Sequence, residues 1–409
     1  MVWGASSIML HKYCLFCLTI IASFSGLFVV SVDGRIFSRD NDRRRQISEE
    51  LFGSLEELAR IVDVAYCVGT TEVRKPFKCL SHCSEFQGFE LVTTWNTGPF
   101  LSDSCGYVAL SHGPSPKRII VAFRGTYSLA NTIIDLSAYP QVYVPYHPDN
   151  GTESAHLQCL NCTVHAGFLT SWSNTRGIVL EQVAAARVRY PDYNLVLVGH
   201  SLGGAVAALA GVEMQLRGWN PQVTTFGEPR IGNKAFVGFL DRIFNLDDFA
   251  PDPRFRRVTH VDDPVPLLPL QEWGYEMHAG EIFIAKEELS PLPHDIKLCQ
   301  GDNDARCIAG TDEAVVSMLR ELDDIVSAEQ PLSKRVQSPQ QLVLADGDPH
   351  SSANANADVA DHEQLQTPFS LPWHLIPSRY RLWELFFAHR DYFWRLGLCV
   401  PGGDPTGKR

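Results

Sequence analysis

The sequence predicts an α/β fold, a mostly parallel central sheet with helices on both faces. Two observations predict it. From residue 118 onward, short apolar runs alternate with amphipathic or Ala-rich stretches, as parallel strands do with their crossover helices. Residues 195–209 then read as a buried strand, a turn and a Gly-Ala helix, with Gly199-His200-Ser201-Leu202-Gly203 in the turn. A strand feeding straight into a helix leaves one residue on a tight turn. Gly on both sides removes the Cβ atoms that would clash there. The helix points its free N–H groups at the same place. Ser201 is therefore a candidate nucleophile on an elbow that runs from Gly199 to Gly203.

The elements follow in order. Residues 1–32 open with a short polar start, carrying His11 and Lys12, and continue in an almost wholly apolar stretch over 13–30. This is a secretory signal peptide or a signal-anchor; its length stands at the lower edge of a spanning helix. Residues 33–45 end in Arg43-Arg44-Arg45, read as a pro-segment with a processing site or as a solvated basic run. A single catalytic domain is expected over 46–402.

Within that domain Leu51, Leu55, Leu58, Ile61, Val62 and Ala65 fall at helical spacing over 49–67. Strands are expected at 89–95, 106–111 and 118–123, the first pair antiparallel. Leu129, Ile133 and Leu136 share one face of a short amphipathic helix over 128–136, which begins at Ser128 and reads as a lid or as an ordinary surface helix. Further strands are expected at 141–146, 194–198, 222–226, 256–260 and 281–285, with helices at 164–189, 233–244 and 313–326. Residues 327–368 are rich in Ser, Pro, Gln, Asn, Asp and Ala and read as a disordered insert. Apolar pattern resumes over 373–399, and 403–409 form a tail.

Composition narrows the function classes. A hydrophobic content of 45% in 409 residues supports a sizeable core. A formal charge of −12 argues against nucleic acid and against steering to anionic headgroups, so contact with a lipid–water interface would be hydrophobic. The 11 cysteines, two of them (Cys14 and Cys17) in the leader, point to an oxidising compartment with four bridges and one free thiol. Sequons at Asn150 and Asn161 agree with secretion, as does an extracellular location; a retained leader would anchor the chain in the secretory pathway. No Cys/His spacing suggests a metal.

A serine nucleophile needs a base and an acid. The acid belongs after a later strand, where Asp262 and Asp263 both qualify. The base belongs near the chain's end. His278, His294, His350, His362, His374 and His389 all follow Asp263; His350 and His362 lie in the polar insert. His389 is favoured by order and by an aromatic setting able to shield a base from water. Thr126, after Gly125 at the end of a core strand, can offer an N–H and an Oγ to an oxyanion.

Several motifs together resemble the fungal class 3 lipases, the filamentous-fungal triacylglycerol lipase family. They are Ala122-Phe123-Arg124-Gly125-Thr126, Val164-His165-Ala166-Gly167-Phe168, the Ser201 elbow with Gly204 and Ala205, and Thr225-Phe226-Gly227-Glu228-Pro229-Arg230-Ile231-Gly232-Asn233. Asp263-Pro264-Val265-Pro266, His278-Ala279-Gly280-Glu281 and His389-x-x-Tyr392-Phe393 complete the series, in the family's order. The resemblance implies an α/β-hydrolase fold and a serine hydrolase cleaving acylglycerol esters through an acyl-enzyme, without cofactor or metal. It implies Ser201 as nucleophile, Asp263 rather than Asp262 as acid, His389 as base, Thr126 and Leu202 N–H as oxyanion donors, and a lid at Ser128, Leu129, Ile133 and Leu136. It further implies the disulfides Cys67–Cys399, Cys79–Cys83, Cys159–Cys162 and Cys299–Cys307, with Cys105 left as a buried thiol. A monomer is expected. His165, His200 and His278 are read as structural, and Glu228 as a solvated or supporting acid. Two other readings stand beside this one: an esterase on soluble or feruloyl-type esters, and a catalytically inactive lipase-like binding protein.

Overall fold

The described residues of the computed structural model are 45–98, 103–126, 139–147, 158–246, 251–311 and 387–400. The chain divides into two compact units, Met1–Asp312 with Leu385–Arg409, and Glu313–Glu384; every described residue belongs to the first. The leader, the Ser128–Leu136 lid with Leu129 and Ile133, the Asn150 sequon, the helix at 313–326, the insert at 327–368 and the tail lie outside the described residues.

An eight-stranded sheet forms the centre, in the order β1-β2-β3-β6-β7-β8-β9-β10. Strands β1 (Phe89–Asn96), β2 (Cys105–Ser111) and β3 (Arg118–Phe123) are antiparallel neighbours. Strands β3, β6 (Asn194–His200), β7 (Gln222–Phe226), β8 (Phe255–His260) and β9 (Glu281–Ile284) run parallel, and β10 (Ile296–Leu298) closes the edge antiparallel to β9. The parallel strands lie within the sheet and are covered on both faces. That is why β3 and β6 read as continuous Val/Ile/Leu runs rather than as alternating ones.

Helix α1 (Glu49–Val64) starts where the Ser48 hydroxyl accepts from the Leu51 N–H at 3.1 Å, with Glu49 and Glu50 favourably placed in the first turn. Its apolar stripe shares one core cluster with Ile120, Ala122, Val196 and Val198, which alternate along β3 and β6. The opposite face takes α2 (Ala166–Arg189), whose Trp172 ring lies edge-on to Phe123 at 6.4 Å. Helix α3 (Leu202–Leu216) follows the elbow, and α4 (Lys234–Phe244) is capped by Asn233, whose side chain accepts from the Phe236 N–H.

Beyond shifts of one to three residues at element ends, the elements differ from the expected ones in three places. The strand expected at 141–146 is the short β4 (Pro140–Val142). The helix expected from Val164 is preceded by β5 (Thr163–His165), which pairs antiparallel with β4 and hands over to α2 when the His165 ring caps the helix. Strand β10 was not expected; three residues give too little alternation to read.

Among the described residues four disulfides join Cys67–Cys399, Cys79–Cys83, Cys159–Cys162 and Cys299–Cys307, and Cys105 is free and buried. The first spans 332 residues and binds the end of α1 to the segment that carries His389. Among the described residues no helix is long and apolar enough to cross a membrane.

Candidate active site

The elbow sits where β6 becomes α3. Ser201 has φ 57° and ψ −130°, a conformation held by its surroundings rather than by its own preference. A Cβ at Gly199 would fall on the Gly203 carbonyl, and one at Gly203 on the Phe123 carbonyl. Only glycines allow the two turns to close this tightly. Ser201 N–H donates to the Phe226 carbonyl at 2.9 Å, which ties the turn to β7. The Ser201 Oγ is buried and meets no hydrogen-bond partner among the described residues.

Asp263 lies just past β8, fully buried, whereas Asp262 adopts φ 65° and is exposed. The His389 Nδ1–H donates to Asp263 Oδ1 at 2.9 Å and faces Oδ2 at 3.0 Å. Tyr392 O–H donates to Oδ2 at 2.5 Å, and Val265 N–H to Oδ1 at 2.9 Å. Burial alone would push the Asp263 carboxyl up. The charge and hydrogen bonds of His389, with those of Tyr392 and Val265, outweigh burial and hold it below the ordinary carboxylate range. Burial, reinforced by the Asp263 charge, drives the Tyr392 phenol well above its usual value, so it stays a donor. With Nδ1 protonated, the neutral His389 ring presents a lone pair at Nε2, which is buried without a partner among the described residues.

Backbone contacts bring the pieces together. A Cβ on Gly227 would lie 2.8 Å from His389 Cε1 and 3.0 Å from Asp263 Oδ2, so the turn after β7 forms the floor under that pair. One on Gly125 would lie 2.9 Å from Ser201 Cβ, so the loop carrying Thr126 presses against the elbow. The Leu202 amide opens α3, where helix geometry leaves N–H groups without intrahelical partners.

His200 fixes the base from behind. Its Nε2–H donates to the His389 carbonyl at 2.8 Å, and its Nδ1 accepts from Tyr66 O–H at 2.5 Å. Burial, then the neighbouring His389, drives its pKa well down, which keeps this tautomer neutral. Tyr392 and Tyr66 were given no role by the sequence. Tyr392 had a signal, its fixed spacing from His389; Tyr66, at the end of α1, had none. Glu228 is buried rather than solvated, and its Oε1 lies 3.0 Å from His278 Nε2. His165 is the α2 cap, its Nδ1 accepting from the Gly167 N–H at 3.1 Å. His294 is exposed and remote in sequence from these contacts. His350, His362 and His374 lie outside the described residues.

The family model for class 3 lipases matches residues 120–273. The secreted mono- and diacylglycerol lipase 2 of Gibberella zeae is 50% identical over 381 residues, covering 88% of this chain and 85% of that one. Lipase A of Sodiomyces alcalophilus is 49% identical over 392 residues, 90% of this chain and 86% of that one. Among solved structures, Lip2 lipase from Yarrowia lipolytica is 33% identical with a TM-score of 0.57, covering 65% of this chain and 89% of that one. With such relatives across most of its length, and an α/β-hydrolase sheet carrying the elbow, the chain belongs to the class 3 lipase family.

Proposed function

We propose that the chain hydrolyses mono- and diacylglycerol esters outside the cell, with Ser201 as nucleophile, His389 as base and Asp263 as the acid that orients it. One observation carries this reading: His389 is held through Nδ1 by an ionised Asp263, while its Nε2 and the Ser201 Oγ are buried with no hydrogen-bond partner among the described residues. As Ser201 Oγ attacks the ester carbonyl, His389 Nε2 takes its proton and Asp263 stabilises the imidazolium. Thr126 and the Leu202 N–H receive the developing oxyanion, each contributing about 3 kcal/mol to barrier lowering. The imidazolium protonates the departing alkoxide. Water, activated by the same histidine, then cleaves the acyl-enzyme.

The glyceride preference is supported by the Gibberella relative, which is named a mono- and diacylglycerol lipase. The extracellular setting is supported by that relative's description as secreted and by four disulfides, which persist in oxidising compartments. The same reading takes residues 1–32 as a leader, 33–45 as a pro-segment and 327–368 as an insert in a single catalytic domain. Purified protein offered mono-, di- and trioleoylglycerol is expected to release oleate fastest from the first two. Equal or faster release from trioleoylglycerol would contradict the preference, and release only from short soluble esters would replace it with an esterase.

A further inference from the structure

His165 Nε2 and Tyr275 Oη are buried polar atoms with no hydrogen-bond partner among the described residues. The two side chains belong to residues only 3% and 2% exposed, and their rings lie 6.3 Å apart. Both atoms are donors. Because Gly167 N–H donates to His165 Nδ1, that nitrogen holds a lone pair and the neutral ring carries its proton on Nε2. Burial pushes the His165 pKa down to about 4, so the ring stays neutral, and pushes the Tyr275 phenol up to about 12, so it keeps its proton. A buried donor left unpaired is costly, because it forfeits its hydrogen bond to water. The reacting atoms Ser201 Oγ and His389 Nε2 share the same condition, as do buried atoms elsewhere such as Thr224 Oγ1 and Arg257 Nη1, so it is the placing of this pair that points to a ligand.

The position of the pair is informative. Residues 227–232 leave the carboxyl end of β7, the end of a parallel sheet where ligands bind. There the Ile231 carbonyl accepts from His165 N–H at 2.9 Å, while Gly232 bridges Val164 on one side and Glu276 on the other. His165 and Tyr275 thus flank the same extended segment, on the sheet end that carries Ser201. An acyl tail is hydrocarbon and offers these donors nothing. The scissile carbonyl is taken by the oxyanion donors. Every other oxygen of an acylglycerol belongs to its alcohol part.

We propose that His165 Nε2–H and Tyr275 O–H form a two-donor subsite for a non-scissile oxygen of the glyceryl group, above all the free hydroxyl of a partial glyceride. A hydroxyl suits a site this buried better than a second ester, which would bring an acyl chain with it. The proposal rests on the acylglycerol reading above.

Tyr275→Phe removes only the phenolic oxygen. The decisive comparison is kcat/KM on monooleoylglycerol against ethyl oleate, which has no second oxygen on its alcohol. The expected result is a loss of about tenfold on the glyceride, with ethyl oleate changed less than about twofold on the same scale. His165→Asn, which keeps a side-chain acceptor for the helix cap, should show the same selective loss. Equal losses on both esters, or no loss on either, would overturn the proposal. A wild-type protein that cleaves ethyl oleate but no glyceride would instead overturn the acylglycerol reading itself.

Discussion

Ser201→Ala is expected to lower kcat by on the order of 10⁶-fold, the scale on which a serine nucleophile acts together with its base and acid. Stability should barely move. The Ser201 Oγ makes no hydrogen bond among the described residues, and alanine keeps the Cβ that already fits against Gly125, so the change should stay within about 0.5 kcal/mol. Parallel thermal unfolding and oleate release check both halves. A folded variant with activity near wild type would remove Ser201 from the reaction.

Asp263→Asn should cost about 10⁴-fold in kcat with the fold retained. The reason is tautomeric. An amide N–H facing His389 Nδ1 forces that nitrogen to accept, so the ring proton moves to Nε2 and the base can no longer take the serine proton. The matching Asp262→Asn should leave kcat within about threefold, because only Asp263 reaches the imidazole. Since the folded Asp263 carboxyl is held below its ordinary value of 3.8, its contribution to stability is full above that value. It is lost as the pH falls through the lower folded value. Comparing acid unfolding of the wild type and the Asn variant reads this directly.

Much of the sheet end was legible because its chemistry is local. Gly199 and Gly203 announce the elbow since the turn itself excludes a Cβ, and that exclusion is written in adjacent residues. The choice between Asp262 and Asp263 was not local. Neighbouring residues on a chain point different ways; the family resemblance pointed to Asp263, and in the fold the positive φ of Asp262 and the full burial of Asp263 separate the two. His389 was favoured by order and aromatic setting, yet its partners Asp263 and His200 lie 126 and 189 residues away. No short window carries such contacts. The β5–α2 boundary was misread because Val164 and His165 continue the apolar pattern of the helix they cap. The two readings of Glu228, solvated or supporting acid, could not be separated locally, because its buried partner His278 is 50 residues on.

Reaction with a serine-directed alkyl phosphonate followed by peptide mass spectrometry tests the central assignment most directly. A single adduct on Ser201 is expected, formed in step with loss of activity and slowed by Asp263→Asn. Full inactivation with the adduct on another serine, or activity that survives complete labelling of Ser201, would contradict it.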